Sequence, residues 1–420
     1  MWGVNIMKHN SIDGVLQGLV SVKEMDAFES VNNKLNKLLS IVRKHLDMEV
    51  AFIAKFVNKS RVFTVVSVKS DTLPINVNDS DPIEDTYCAK IVDNVIPNII
   101  PNTKNNVVTS KLPITDKLSI GSYIGVPIKL SSGKIYGTFC CYKLSPDDTL
   151  NQRDLSFLSA VADIATELIE KNVETEFHHN EIMVRIVSVL EQNKIDIHYQ
   201  PIFNFKSNKI NGYESLSRFN TTPYRPPNIW FDEASKVNLG EELEIMAIKN
   251  AIKGMGELKA DTYIAINTSP EYVLNGAIAR VLEGVDLQRI VLEITEYAPI
   301  RDYSDFRKAL EPLRKQGMRL AIDDAGSGYS SFQHVLELEA DIIKLDITLT
   351  QNIHSNNRKY LFAKALCAFS KAINCSIVAE GVETVEELNC LRELGVDNVQ
   401  GYLLGRPMPI MEAISYEKVL

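Results

Sequence analysis

Residues 318–324 read Met318-Arg319-Leu320-Ala321-Ile322-Asp323-Asp324, an apolar strand that ends in two carboxylates. The pattern recurs on both sides of it. Upstream, Tyr263-Ile264-Ala265-Ile266 closes on Asn267, and Val291-Leu292 closes on Glu293. Downstream, Lys344 and Asp346 flank Leu345, and Ile377-Val378-Ala379 closes on Glu380, with Gly381 behind it. The strand candidates are Ile195–Pro201, Ile210–Arg218, Tyr263–Asn267, Ile290–Glu293, Met318–Asp323, Ile342–Leu345, Ser376–Glu380 and Val396–Val399. Apolar residues at helical spacing lie between most of them, as in Phe306–Gln316, bent at Pro312, and Tyr360–Ala372. Eight strands over about 235 residues is the arithmetic of a (β/α)8 barrel. Only Lys206-Ser207-Asn208 joins the first two, too short for a parallel crossover, so one strand is expected to run antiparallel to the rest.

The polar residues fall where a barrel does its chemistry. Glu214, Leu216 and Arg218 sit at i, i+2 and i+4 and share one strand face, as do Lys344 and Asp346. The C-terminal strand ends form the mouth of such a barrel. Taken singly, each residue has a plain explanation: Asp324 after a strand is commonly a helix N-cap, and Glu293 or Glu380 would pair with a nearby Arg. Together, Glu214, Glu293, Asp323, Asp324 and Glu380 converge on one mouth, where mutual repulsion raises pKa values or demands cations. Arg218 and Lys344 cannot neutralise five carboxylates. The set holds carboxylates and one amide, Asn267, with no Cys or His, which favours Mg²⁺ or Mn²⁺ over zinc. Two such ions about 4 Å apart are the usual arrangement for in-line displacement at phosphorus. The residues therefore point to a metal-dependent phosphodiesterase on a barrel.

Composition narrows the field further. The chain has 420 residues with 45 Lys and Arg against 54 Asp and Glu, a formal net charge of −9. Such a balance makes a poor general nucleic-acid binder, since counterion release needs a basic face, so neither DNA nor RNA is expected as a partner. No run approaches the ~18 apolar residues of a membrane span, and no membrane partner is expected. The stretch Val15–Val22 is broken by Gln17, Gly18 and Ser21 and makes a weak signal peptide. The six Cys show no zinc spacing, and reduced thiols in a cytoplasmic protein are the expectation.

The first half reads as α+β. Helical spacing runs from Met25 to about Lys44, followed by strand-like runs Val50–Val57 and Arg61–Ser67, a short helix within Asp81–Val95, and a strand pair Tyr123–Lys129 and Ile135–Tyr142. From Asn151 to Lys194 the pattern stays helical with no Pro or Gly to stop it. This half resembles the GAF family of ligand-sensing domains over residues 23–172. The likeness rests on Asp85-Thr86-Tyr87-Cys88, on Gly121-Ser122-Tyr123-Ile124-Gly125-Val126-Pro127-Ile128, and on Tyr136-Gly137-Thr138-Phe139-Cys140-Cys141. These motifs belong to the fold and leave the ligand open. Cys88 is expected to be packing rather than a chromophore attachment, since no His follows it. Cys140 and Cys141 point to opposite faces of a strand, so at most one faces the pocket.

The second half, residues 184–420, resembles the EAL family of cyclic di-GMP phosphodiesterases. The matching segments are Tyr199-Gln200-Pro201-Ile202, Glu214-Ser215-Leu216-Ser217-Arg218, Ile266-Asn267, Leu292-Glu293-Ile294-Thr295-Glu296, Asp323-Asp324, Lys344-Leu345-Asp346, Ala379-Glu380-Gly381-Val382-Glu383-Thr384 and Gln400-Gly401-Tyr402. The resemblance implies that Glu214, Asn267, Glu293 and Asp323 hold metals, with Asp323 bridging and Asp324 on the second ion. It implies that Lys344 and Glu380 position and deprotonate the attacking water, with Glu380 also touching metal. Gln200, Leu216, Arg218, Asp346 and Gln400 would contact the cyclic dinucleotide, while Glu296 and Glu383 would support loops and the lysine. The implied product is linear pGpG, the implied assembly a homodimer, and residues 173–183 a connecting helix between sensor and barrel. Two departures from the family pattern stand out. Ser215 replaces Ala on the strand face opposite Glu214, where it is expected to be tolerated. The loop after Asp324 carries Ala325 and Ser327 where the family prefers Phe and Thr, which bears on regulation or rate more than on ligand identity. The alternatives from other classes are a catalytically silent cyclic di-GMP receptor and a dimerisation scaffold.

Overall fold

The computed structural model describes residues 31–295, 300–325 and 330–417, in two units divided at His178 and His179. In the first unit six strands form one antiparallel sheet in the order β3-β2-β1-β6-β5-β4. They are β1 (Val50–Val57), β2 (Ser60–Val68), β3 (Ser80–Pro82), β4 (Ile99–Ile100), β5 (Ser122–Lys129) and β6 (Ile135–Lys143). Asn58 and Lys59 both take positive φ (46° and 66°), the mirror-image turn that suits the twist of a two-residue hairpin. The helix Val31–His45 and residues 158–169 of the helix Gln152–Gln192 bury their apolar stripes against one sheet face. The other face packs Phe52, Tyr123 and Cys140 under Cys88 and Ile91 of the short helix Tyr87–Val92. Cys140 and Cys141 thus enter different cores, as strand alternation requires. The segment expected as one short helix after Asp81 is extended at β3, takes a 3-10 turn at Ile83–Asp85, and becomes helical only after Thr86 caps it. The start of the helix expected from Met25 lies outside the described residues.

In the second unit nine strands are ordered β14-β13-β12-β11-β10-β9-β8-β7-β15, with β14 also paired to β7, which closes eight of them into a barrel. They are β7 (Ile195–Asn204), β8 (Lys209–Phe219), β9 (Tyr263–Asn267), β10 (Ile290–Thr295), β11 (Arg319–Ala325), β12 (Ile342–Leu345), β13 (Ser376–Ala379), β14 (Asn398–Val399) and β15 (Met408–Pro409). β7 runs antiparallel to both β8 and β14, so the expected reversed strand is the one that seals the barrel. The helix expected to bend at Pro312 spans Tyr303–Arg314 and ends two residues beyond the proline, whose missing N–H and ring oppose continuation. Between strands and helices lies the large core that includes Phe203, Leu292, Leu320 and Ile343. Inside the barrel Ile202, Tyr263, Ala265, Val291, Ala321, Ile342 and Val378 form a separate plug. Among the described residues no helix is long and apolar enough to cross a membrane.

Candidate active site

The interior plug fixes where the site must be. Asn267, Glu293, Asp323, Lys344 and Glu380 each follow an inward-facing plug residue, Ala265, Val291, Ala321, Ile342 or Val378, by two positions. With a strand period of two, all five aim into the barrel one layer above the plug. Glu293 lies beside Asn267 in register, and Glu214 comes from β8 beside Ala265.

At the centre is Lys344, 1% exposed. Its Nζ stands 2.8 Å from Glu380, 3.0 Å from Glu293, 3.2 Å from Asp323 and 3.5 Å from Glu214. Four carboxylates face one ammonium. Burial drives the Glu293 pKa well above the usual carboxylate range, with Lys344 opposing and the other acids adding to the rise. Burial likewise pushes Glu380 up to about 8 against the pull of Lys344. Burial would lower the Lys344 pKa, but the surrounding carboxylates outweigh it and hold the ammonium well above its ordinary value.

Carboxylate oxygens of Glu214, Glu293 and Asp323 lie within 4.8 Å of one another, and so do those of Asp323, Asp324 and Glu380. Asp323 belongs to both groups. Consecutive strand residues ordinarily point to opposite faces, yet Asp323 and Asp324 serve the same mouth. The backbone explains it: Asp324 has φ +57°, the pairing of β11 with β12 slips between Ile322 and Ala325, and the Asp324 N–H donates to Asp323 Oδ1 at 2.9 Å. Gly381 performs a similar service after Glu380, since its φ is +67° and a Cβ there would meet Ile347 at 2.2 Å. Excess negative charge, all-oxygen donors and a shared carboxylate fit two hard divalent cations.

The remaining expected residues are placed as follows. Gln200 and Gln400 are buried behind Glu214: the Gln400 amide donates to Gln200 Oε1 at 3.0 Å and to Glu214 Oε2, and Gln200 donates to the Gly405 carbonyl at 3.1 Å. Leu216, Arg218 and Asn267 line a cavity of about 640 Å³ that also touches Phe231, Glu244 and Thr268. That is room for a ligand of nucleotide size. Asp346 caps the short helix Ile347–Thr350, accepting from the Thr348 N–H at 2.8 Å. Glu383 is exposed, and its N–H donates to Glu387 at 2.9 Å. Glu296 and residues 326–329 of the loop after Asp324 lie outside the described residues. Ser215, the departure from the signature triplet, donates to the Ala265 carbonyl at 2.7 Å, away from the carboxylate cluster.

One residue escapes the sequence reading. Glu244 is buried and accepts from Thr268 Oγ1 at 2.5 Å, the Ser269 N–H at 2.8 Å and Ser269 Oγ at 2.8 Å, fixing the chain directly after Asn267. Its signal was present: Leu243, Ala247, Ile248 and Ala251 form the buried stripe of the helix Gly240–Met255, and Glu244 stands on it.

The profile of the EAL domain matches residues 183–407, more than half of the sequence, and the chain belongs to the EAL domain family. The GAF domain profile matches residues 29–170 ahead of it. Among curated relatives, a probable cyclic di-GMP phosphodiesterase of Escherichia coli K12, PdeD, is 31% identical over 232 residues, 53% of this chain and 43% of its own length. An uncharacterized signaling protein of Caulobacter vibrioides is 31% identical over 229 residues, 53% of this chain and 28% of its own length. The chain thus spans less than half the length of these two relatives. Among solved structures, the PaMucR phosphodiesterase in complex with c-di-GMP superposes with a TM-score of 0.51 at 28% identity, covering 55% of this chain and 99% of that one. An EAL domain protein from Listeria monocytogenes EGD-e superposes at 0.50 and 28% identity, covering 54% and 93%.

Proposed function

We propose that the chain hydrolyses cyclic di-GMP to linear pGpG with two divalent cations, Mg²⁺ or Mn²⁺, under the control of its GAF domain. The observation that carries this reading is the pair of carboxylate triads meeting at Asp323 around Lys344. Glu214, Asn267, Glu293 and Asp323 would hold one ion, and Asp323, Asp324 and Glu380 the other. When bound, the ions would supply Lewis acidity toward the phosphodiester and a lowered pKa for the attacking water. Glu380 accepts the water's proton, and Lys344 orients that water and balances charge developing on the phosphoryl oxygens. Gln200 and Gln400 hold Glu214 in place and border the ligand, while Leu216 and Arg218 hold it from the 640 Å³ cavity. Asp346 would contact the dinucleotide with them, and Glu296 and Glu383 would serve as supporting residues. The family resemblance and the printed activities of the PdeD relative and the PaMucR structure support the substrate.

The proposed division is a sensor over residues 23–172, a connecting helix over 173–183 and the phosphodiesterase over 184–420, acting as a homodimer. The rival is a silent cyclic di-GMP receptor, and it is disfavoured because every ligand position of the triads is filled by an acid. The test is product analysis of the full chain with cyclic di-GMP in Mg²⁺ and in Mn²⁺. Metal-dependent pGpG formation establishes the enzyme. Tight binding without product in either metal establishes the receptor.

A further inference from the structure

The GAF unit carries a second chemical cluster. Gly125 pairs with Cys140 across β5 and β6, and a Cβ on Gly125 would stand 2.8 Å from Cys140 Sγ, 3.0 Å from the Tyr123 ring and 3.1 Å from Ile91. The absent side chain is what leaves the Cys140 thiol its space beneath the helix Tyr87–Val92. Cys88 lies one turn before Ile91 on the same face of that helix, with Sγ 3.8 Å from Tyr123 Oη, and it shares one buried core cluster with Cys140. The guanidinium of Arg61, 2% exposed, pairs with Asp81 through a terminal nitrogen and lies 3.7 Å from the Phe63 ring centroid. Arg61, Cys88, Phe52, Tyr87 and Tyr123 line a shared cavity of about 10 Å³. That is room for about one water-sized molecule.

We propose that Cys88 and Cys140 form a peroxide-reactive dithiol, with Cys88 the attacking sulfur and Cys140 the resolving one. Peroxide is a small uncharged oxidant whose two electrons a thiol can supply. Burial alone would raise the Cys88 pKa, but the neighbouring Cys140 thiol and the Arg61 charge outweigh it and bring Cys88 down to about 6. A thiolate is the nucleophilic form. Cys88 lines the cavity beside Arg61 and Cys140 does not, which makes Cys88 the attacker. In the first step the Cys88 thiolate attacks one peroxide oxygen, the O–O bond breaks, and hydroxide leaves and is protonated to water, giving a sulfenic acid. In the second the Cys140 sulfur attacks the Cys88 sulfur, the S–O bond breaks, and the departing hydroxide takes the Cys140 proton as water. The two sulfurs are oxidised by two electrons in all, and one peroxide is reduced to two waters.

Cys141 is the internal control, being adjacent in sequence yet buried in the opposite core. The full chain is treated with hydrogen peroxide, quenched with N-ethylmaleimide under denaturing conditions, and mapped by mass spectrometry. The expected result is a Cys88–Cys140 linked peptide lighter by two hydrogens and restored by dithiothreitol, with Cys141 alkylated throughout. Cys140→Ser is expected to stop at a Cys88 sulfenic acid that dimedone traps, and Cys88→Ser to abolish both products. If Cys88 and Cys140 remain fully alkylated at a dose that consumes free cysteine, or if Cys141 is oxidised as readily as Cys140, the proposal is overturned. The wild-type map decides this whether or not either variant folds.

Discussion

Lys344 Nζ stands 2.8 Å from Glu380 Oε1, the shortest of four carboxylate contacts made by one buried ammonium. The relationship makes Lys344 a structural counter-ion before any metal arrives. Lys344→Met is expected to destabilise the metal-free chain by about 3–5 kcal/mol, the cost of leaving buried charge unpaired. Mn²⁺ should raise the melting temperature of the variant more than that of wild type. In the same variant kcat should fall far more than affinity for cyclic di-GMP, whereas Arg218→Ala should weaken binding. A Lys344→Met enzyme with raised KM alone would exchange the two roles.

Asp323 belongs to both carboxylate triads, and Glu214 and Asp324 to one each. Calorimetric titration with Mn²⁺ should therefore find two sites in wild type, one in Asp324→Asn, and none of measurable affinity in Asp323→Asn. Turnover should be lost in Glu214→Ala and Asp323→Ala with the fold retained by circular dichroism. EDTA should abolish it reversibly. Equal stoichiometry in the Asp323 and Asp324 variants would dismiss the shared-ligand arrangement.

Glu244 makes three hydrogen bonds to Thr268 and Ser269, directly after Asn267. Glu244→Ala should weaken Mn²⁺ binding by roughly tenfold, equivalent to 1.4 kcal/mol. Glu244→Gln should recover most of the loss, because a Gln oxygen accepts the same bonds and the Ser269 hydroxyl can turn to accept one. If Gln behaves as Ala does, it is the negative charge rather than the anchoring that matters.

Asp81 gives the GAF unit a pH signature. Burial raises its pKa, but a hydrogen bond from Lys117 at 2.5 Å and the charge and hydrogen bond of Arg61 outweigh this, and the net shift is downward. A depressed carboxylate contributes stability above its unfolded pKa of about 3.9, and that contribution is lost as pH falls through the lower folded value. Hydrogen-exchange protection of β2 should decline on acidification below pH ~4 in wild type, and Asp81→Asn should be less protected at neutral pH and flatter across that window.

The helix Gln152–Gln192 supplies apolar residues to one core between Leu158 and Ile169 and to another between Ile182 and Val189. Two Gly residues inserted after Glu174 should break its phase. The expected outcome is retained basal hydrolysis with loss of the rate difference between the full chain and one lacking residues 1–180. An insertion variant that keeps this difference would make the helix a passive tether.

How much of this was legible in the sequence follows from length scales. The eight barrel strands show because each is an apolar run and most of them close on a polar residue, and β7 betrays its direction through the short turn at Lys206-Ser207-Asn208. β3, β4 and β15 are two or three residues long, too short for alternation to register. The carboxylate cluster was readable because strand period sets its face. Asp324 was read from its place after the strand, whereas the left-handed backbone that turns it to the mouth was not visible, nor was the helix cap at Asp346, whose Oδ1 accepts from Thr348.

The reversed seam strand has a consequence for synthesis. Asn204 donates to Asn398 Oδ1 at 2.9 Å across the β7–β14 joint, and the two residues are 194 positions apart. During translation β7 can pair with β8 within one hairpin, yet its other edge has no partner until β14, 194 residues further on, has left the ribosome. Contacts of such sequence separation are slow to form. The barrel must therefore wait, open along one side, with the ladder groups of β7 and the growing parallel sheet exposed to neighbouring nascent chains. Expression yield should consequently depend on temperature and on chaperone supply more steeply than the finished barrel's stability would dictate.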